Sequence, residues 1–315
     1  MPSGYDLRGK RVWVSGHRGL VGSAVVRRLA SEDCEILTAA RQELDQRNQA
    51  DVQDWFAQNK PDAVILAAGT VGGIHANSTR PAEFIHDNLV IAANVIDAAY
   101  AAGVEKLLYL GSACIYPREA PQPMKEDALL SGPLEPTNQW YAIAKIAGIK
   151  MCQAYRLQYG CDFISAQPNN LYGPGDNFDL MSSHVIPALI VKAHNAKGGK
   201  RLEIWGTGKP KREFLYVDDL ADALVFLMKH YSDETQINIG TGEEVTIREL
   251  AETVSRVVGF TGGLEFDASK PDGAPRKLLD VSLMKSLGWS ARTKLEDGLK
   301  ATYDWYLTSH AGKRG

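Results

Sequence analysis

Cysteine is scarce in this 315-residue chain: Cys34, Cys114, Cys152 and Cys161 are the whole complement, and none forms a C-x-x-C pair. In a chain of this size, four scattered cysteines are no disulfide framework, and no metal is expected. Charge excess is also missing, with 35 Lys and Arg against 38 Asp and Glu. A net charge of −3 gives no footprint for nucleic acid or an anionic membrane, though a few local arginines can still bind a small anion. Long apolar runs are missing too. The longest, residues 63–74, is broken by Gly69, Thr70, Gly72 and Gly73 and is too short to span a bilayer. The opening residues, MPSGYDLRGKRVWVSG, carry no apolar signal segment. A reducing, cytoplasmic setting is therefore expected. What remains is an ordinary globular composition, 44% hydrophobic and 23% charged, with length for about two domains.

The first half repeats a short apolar run, a loop and a helical segment. Periodicity predicts strands at 11–15, 35–40, 63–68, 107–111 and 163–167, and helices at 20–31, 49–59, 81–102 and 138–159. Strands alternating with helices imply an α/β, Rossmann-type doubly wound parallel sheet covered on both faces. Beyond Tyr172 the pattern weakens. Helices are predicted at 183–196, 217–229, 247–258 and 295–308, strands at 202–205 and 237–239, and loops at 206–210 and 269–275. A smaller α+β unit is expected there. The division is 1–172 with a return segment at about 213–240, against 173–212 and 241–315.

Three motifs carry chemistry. Gly16-His17-Arg18-Gly19-Leu20-Val21-Gly22 directly follows a strand and opens a helix. Glycines there allow a tight turn and a close approach of backbone to a pyrophosphate, and the helix N-terminus supplies unpaired N–H groups. The spacing is G-x-x-G-x-x-G, and a plain glycine turn is the alternative. The second predicted strand ends in Arg41, where an NAD site would place an acid. Arg18 and Arg41 together suit a 2′-phosphate, which favours NADP, while Asp45 nearby keeps NAD open. The third motif is Tyr141-Ala-Ile-Ala-Lys145, the one tyrosine of twelve with a lysine four residues on. That spacing puts both side chains on one helix face. An ammonium beside a phenol would lower the tyrosine pKa and let it deliver a proton near neutral pH. Ser112, at the end of the fourth predicted strand, can donate to a carbonyl oxygen near the tyrosine or simply cap a turn.

The chain resembles the extended short-chain dehydrogenases/reductases that act on nucleotide sugars, and within them the GDP-L-fucose synthase family. The stretches are GHRGLVGSA at 16–24, VGGIHAN at 71–77, LGSACIYP at 110–117, EPTNQWYAIAKIAGIK at 135–150, NLYGP at 170–174, SHVIPAL at 183–189, REFLYVDDLADA at 212–223 and RKLLDVS at 276–282.

That resemblance implies conversion of a GDP-4-keto-6-deoxy sugar by 3,5-epimerisation and then NADPH-dependent 4-keto reduction. It assigns the reduction to Ser112, Tyr141 and Lys145, and proton exchange at C3 and C5 to Cys114 and His184. A thiol and an imidazole both exchange protons near neutral pH, although alone each would read as a core or helix-end residue. NADP is expected on the glycine loop, Arg41, Leu110, Gly111, Lys145, Pro168, Asn169, Asn170, Leu171 and His184. The GDP half is expected on Lys192, Trp205, Arg212 and Asp272, with core packing the alternative for Trp205. A homodimer through segments 81–102 and 138–159 is implied, with no nucleic-acid or membrane partner. Ala113, Trp140 and Gly69 depart from the family pattern without removing a proton-transfer group. The alternatives are a relative with one of the two activities, one making another GDP-6-deoxy sugar such as colitose, or a non-catalytic NADP-binding regulator.

Overall fold

Strand β1 (Arg11–Ser15) is buried along nearly its whole length, as a continuous apolar run in a parallel sheet should be. The computed structural model describes residues 4–309 apart from 198, 200 and 271. The predicted domain ends at 1–3 and 310–315 lie outside the described residues. After β1 come α1 (Leu20–Leu29), β2 (Glu35–Leu37), α2 (Gln49–Asn59), β3 (Ala63–Leu66), α3 (Ile74–Thr79), α4 (Pro81–Ala101), β4 (Lys106–Leu110), α5 (Gln139–Tyr159), β5 (Asp162–Pro168) and β6 (Asn170–Tyr172). The second half adds α6 (Val185–Asn195), β7 (Leu202–Trp205), β8 (Lys211–Arg212), β9 (Phe214–Tyr216), α7 (Val217–His230), β10 (Ile237–Ile239), β11 (Val245–Thr246), α8 (Ile247–Val258), β12 (Leu264–Asp267), β13 (Arg276–Lys277), α9 (Ser282–Ser286) and α10 (Leu295–Ser309).

The main sheet has six strands in the order β10-β5-β4-β3-β1-β2, all parallel. Side chains alternate across it. Val12 and Val14 join α1 and α7 in one core, while Trp13 packs in the other core, where its ring meets Trp55 and Phe56 of α2. Helices α4 and α5 cover that second face. Helix ends follow local chemistry. Asn48 caps α2, a reciprocal Thr246–Glu249 capping box starts α8, and Gly160 in the left-handed region ends α5.

A third core gathers α6, α8 and α10 around Ile204 and Phe214. Short strands form three small sheets apart from the main one: β6 pairs with β9, β7 with β12, and β8 with both β11 and β13.

Two predicted strands are shorter in the structure, the one expected at 63–68 ending at Leu66. The segment expected at 35–40 leaves the ladder after Leu37. Ala40 N–H donates to the Glu43 carboxylate at 2.8 Å, and Glu43 and Leu44 N–H donate back to the Ala40 carbonyl. These bonds turn the chain, so Arg41 sits on a turn beyond the strand end.

Candidate active site

A cleft of about 980 Å³ opens at the C-terminal ends of β1, β3, β4 and β5, where ligands of doubly wound sheets bind. All the residues expected to hold cofactor or transfer protons line it: the loop from Gly16 to Gly22, Arg41, Leu110, Gly111, Ser112, Cys114, Tyr141, Lys145, Pro168 to Leu171, and His184. Arg212 and Asp272 line it as well, whereas Lys192 and Trp205 do not.

The glycine loop is cut to accept an anion. Gly16 adopts φ +77°, and a Cβ on Gly22 would fall 2.1 Å from the Gly16 carbonyl oxygen. Gly19 precedes α1 with no side chain capping the helix and no acid in its first turn, so the helix end presents its N–H groups to the cleft. Among the described residues no carboxylate lies within ion-pair distance of Arg18 or Arg41. Asp45, the acid that kept NAD open, is bound to Arg47 through four hydrogen bonds, the shortest 2.7 Å. The Arg47 guanidinium holds the Asp45 carboxyl down at about 2. Uncommitted arginines and a committed aspartate favour a 2′-phosphate over a free ribose hydroxyl. The residues present thus fit a dinucleotide with that phosphate.

Ser112 follows β4 in an extended conformation. Its N–H donates to Gln167 Oε1 at 2.9 Å, and its Oγ accepts from Cys114 N–H at 3.3 Å. The hydroxyl therefore caps the turn that carries Cys114. Tyr141 packs edge-on to Phe84. Burial raises its phenol, and Ser112 partly offsets this. This corrects the expectation that Lys145 lowers the tyrosine pKa. The Lys145 ammonium donates to the Leu110 carbonyl at 2.9 Å and stands 5.7 Å from the Tyr141 ring centroid. Desolvation brings Lys145 down to about 8. The i, i+4 spacing does bring the two onto one face, but the lysine is drawn to a backbone oxygen.

His184 precedes α6 and makes no capping bond. It lines the cleft as an exposed residue, and desolvation by the cleft walls lowers its pKa. The Cys114 sulfur accepts from Asn138 Nδ2 and from Lys277 Nζ, each at 3.3 Å.

On the nucleotide side, Asp272 is turned into a latch, accepting from Thr207 N–H at 2.8 Å and Thr207 Oγ1 at 2.7 Å. Trp205 is 62% exposed, so core packing is ruled out for it. Lys192 and Lys270 stand 5.4 and 5.7 Å from its ring centroid. Lys192 is thus held against this exposed ring outside the cleft.

Sequence reasoning missed Asn138, Gln167, Glu213 and Lys277. Asn138 and Lys277 lie inside matched stretches, yet no spacing marked them. Glu213 is fully buried and accepts from Asn169 Nδ2, Gly242 N–H, Leu279 N–H and Thr241 Oγ1, a contact set visible only in three dimensions.

A Rossmann sheet whose cleft joins a glycine loop to a serine, tyrosine and lysine defines a nicotinamide-dependent oxidoreductase of the short-chain type. Residues 12–240 match the NAD dependent epimerase/dehydratase family, and the chain belongs to it. A GDP-L-fucose synthase of Sinorhizobium fredii is 60% identical over 98% of both chains. A GDP-6-OMe-4-keto-L-xylo-heptose reductase of C. jejuni has a similar structure, with TM-score 0.92 and 38% identity over 98% of this chain and 100% of that one. A Naegleria fowleri gdp-l-fucose synthetase bound to NADP superposes with TM-score 0.91, at 29% identity over 100% and 99% of the two chains. The NADP expected from Arg18 and Arg41 agrees with the cofactor of that structure. No helix among the described residues is long and apolar enough to cross a membrane.

Proposed function

We propose that the chain converts GDP-4-keto-6-deoxy-D-mannose to GDP-L-fucose by 3,5-epimerisation followed by NADPH-dependent 4-keto reduction. The observation that carries this is the convergence of Ser112, Tyr141, Lys145, Cys114 and His184 on one cleft with the glycine loop. The similarity to the Sinorhizobium synthase supports it.

Bound NADPH supplies the hydride. The glycine loop and the N-terminus of α1 hold its pyrophosphate, Arg18 and Arg41 its 2′-phosphate, and Lys145 its nicotinamide ribose. For epimerisation, one of Cys114 and His184 takes the proton from C3 or C5 and the bond pair moves into the C4 carbonyl. Ser112 and Tyr141 donate to that oxygen as charge develops, and the second group of the pair returns a proton to carbon. Desolvation by the cleft walls lowers the His184 pKa, which favours the neutral imidazole that can accept a proton and give it back. For reduction, Tyr141 delivers its proton to O4. Residues 1–172 with 213–240 form the cofactor unit. Residues 173–212 and 241–315 form the GDP-sugar unit, where Arg212 meets the diphosphate and Trp205 offers guanine a flat face.

The enzyme works in the cytoplasm as a homodimer. Exposed Tyr100 on α4, and Trp140, Ile143, Leu157 and Tyr159 on α5, support that assembly, while the alanines at 92, 98, 99, 142 and 144 are spent on the chain's own core. A one-chain mass in analytical ultracentrifugation would overturn the dimer.

Incubation with the keto sugar and NADPH tests the reaction. NADPH consumption with formation of GDP-L-fucose is expected, and its absence sinks the proposal. Without NADPH in D2O, deuterium should enter at C3 and C5. Tyr141→Phe should retain exchange and lose reduction.

A further inference from the structure

Lysines on a two-residue strand are ordinarily solvated. Lys277, on β13, is instead half-buried in the cleft wall, with its backbone held on both sides. Its carbonyl accepts from Asn169 Nδ2, the next N–H donates to Gln122 Oε1 at 2.8 Å, and Leu279 N–H donates to the buried Glu213 carboxylate at 3.1 Å. Leu278 O accepts from Met124 N–H at 2.8 Å. Strand β13 also pairs with β8. Few surface lysines have a main chain so constrained, and the constraint delivers one ammonium to one atom, Cys114 Sγ, at 3.3 Å.

Asn138 is the other donor to that sulfur, also at 3.3 Å. Its Oδ1 is buried with no partner, so its amide direction is not explained by capping α5, and no side-chain cap is made there. A sulfur that accepts from an ammonium and an amide is set up to carry negative charge. The titratable groups facing it are Lys277 of β13 and Tyr141 of α5, with His184 of α6 lining the same cleft.

We propose that Lys277 is a positioning residue for epimerisation: its ammonium, with the Asn138 amide, fixes the direction of the Cys114 sulfur and steadies the negative charge the sulfur carries during proton transfer. This rests on the reading of Cys114 as a proton-transfer group. The step balances without any further reactant. The thiolate takes the carbon-bound proton from one face and becomes the thiol, the bond pair moves into the carbonyl, and protonated His184 returns a proton to the opposite face; the thiol then gives its proton to solvent as His184 takes one up, which restores both groups. Lys277 acts through the sulfur rather than on the sugar, so its removal should lower the exchange rate with little change in KM.

The test is alkylation of Cys114 by iodoacetamide in the NADP-bound enzyme, followed by peptide mass spectrometry across a pH series, beside deuterium exchange into the keto sugar. Lys277→Met and the better-hydrated Lys277→Gln should both slow Cys114 alkylation at neutral pH about tenfold and displace its pH curve. Exchange should fall by a similar factor. Lys277→Arg should restore both. A merely structural lysine would leave the alkylation curve in place. Superimposable curves for wild type and Lys277→Gln overturn the pairing. A displaced curve, together with Cys114→Ser exchanging as fast as wild type, overturns the reading of Cys114 and with it the part of Lys277 in the reaction, while the pairing itself stands.

Discussion

Lys145 Nζ donates to the Leu110 carbonyl at 2.9 Å from the buried face of α5, although its lysine character is needed only when ligand is present. Without ligand, a buried ammonium with one backbone acceptor is a cost to folding. Its pKa falls from 10.5 to about 8 in the folded chain. The unfolded chain thus binds more protons between those values, and stability rises as pH climbs from about 8 to 10.5. Lys145→Met should abolish reduction yet raise ligand-free stability at pH 7 by on the order of 1 kcal/mol. That gain should fade toward pH 10, where the wild-type lysine is neutral. Thermal melts at several pH values check this, and a gain that grows with pH would contradict it.

Cofactor choice turns on which charges are already spent. Arg41→Ala should weaken NADPH binding by roughly tenfold or more while NADH binding barely changes, since only NADPH has the phosphate. Arg47→Ala should do something less obvious. It frees the Asp45 carboxylate for a ribose hydroxyl and narrows the preference by strengthening NADH binding. Fluorescence titrations with both cofactors measure these effects, and equal losses for NADH and NADPH in Arg41→Ala would defeat the phosphate assignment.

Asp176 gives the opposite pH signature. It is buried, one of its oxygens has no partner, and burial pushes it up to about 7 from 3.8. The folded chain therefore holds this proton more tightly than the unfolded one, and stability falls as pH rises from about 4 to 7. Asp176→Asn should stabilise the protein at pH 8 by about 1 kcal/mol and change little at pH 4. Urea midpoints at both pH values decide it, and equal effects at the two would show that burial of charge is not the cause.

Trp205 is exposed, so Trp205→Ala should leave the melting temperature nearly unchanged. If its ring meets guanine, KM for the GDP sugar should rise about fivefold with kcat retained. An unchanged KM would remove Trp205 from the binding surface.

Much of this was legible along the chain because long periodic segments carry their own signal. Helices α2 and α8 and strands β1, β7 and β10 fall on their predicted bounds. The short strand pairs outside the main sheet were not legible, since β6 with β9 and β8 with β13 involve two or three residues and show no period. At the site, the glycine loop and the Tyr141–Lys145 spacing were visible because local geometry dictates them. The retirement of Asp45 by Arg47, the pull of Leu110 on Lys145 and the arrival of Lys277 at Cys114 depend on which groups meet in space. Glu35 and its neighbours suggested a longer strand because apolar character continues past Leu37, whereas the Glu43 carboxylate captures the backbone first.

The outermost strand of the main sheet, β10, arrives some seventy residues after its neighbour β5, and α7, which covers α1, lies between them in sequence. A ribosome that has released the first 172 residues has therefore released five strands of a sheet with one edge unpaired and one apolar face uncovered. Closure waits for residue 239, by which point all of segment 173–212 has also emerged. The sheet and segment 173–212 must mature together, and a fragment ending at Tyr172 should be recovered as aggregate rather than as a small cofactor-binding protein.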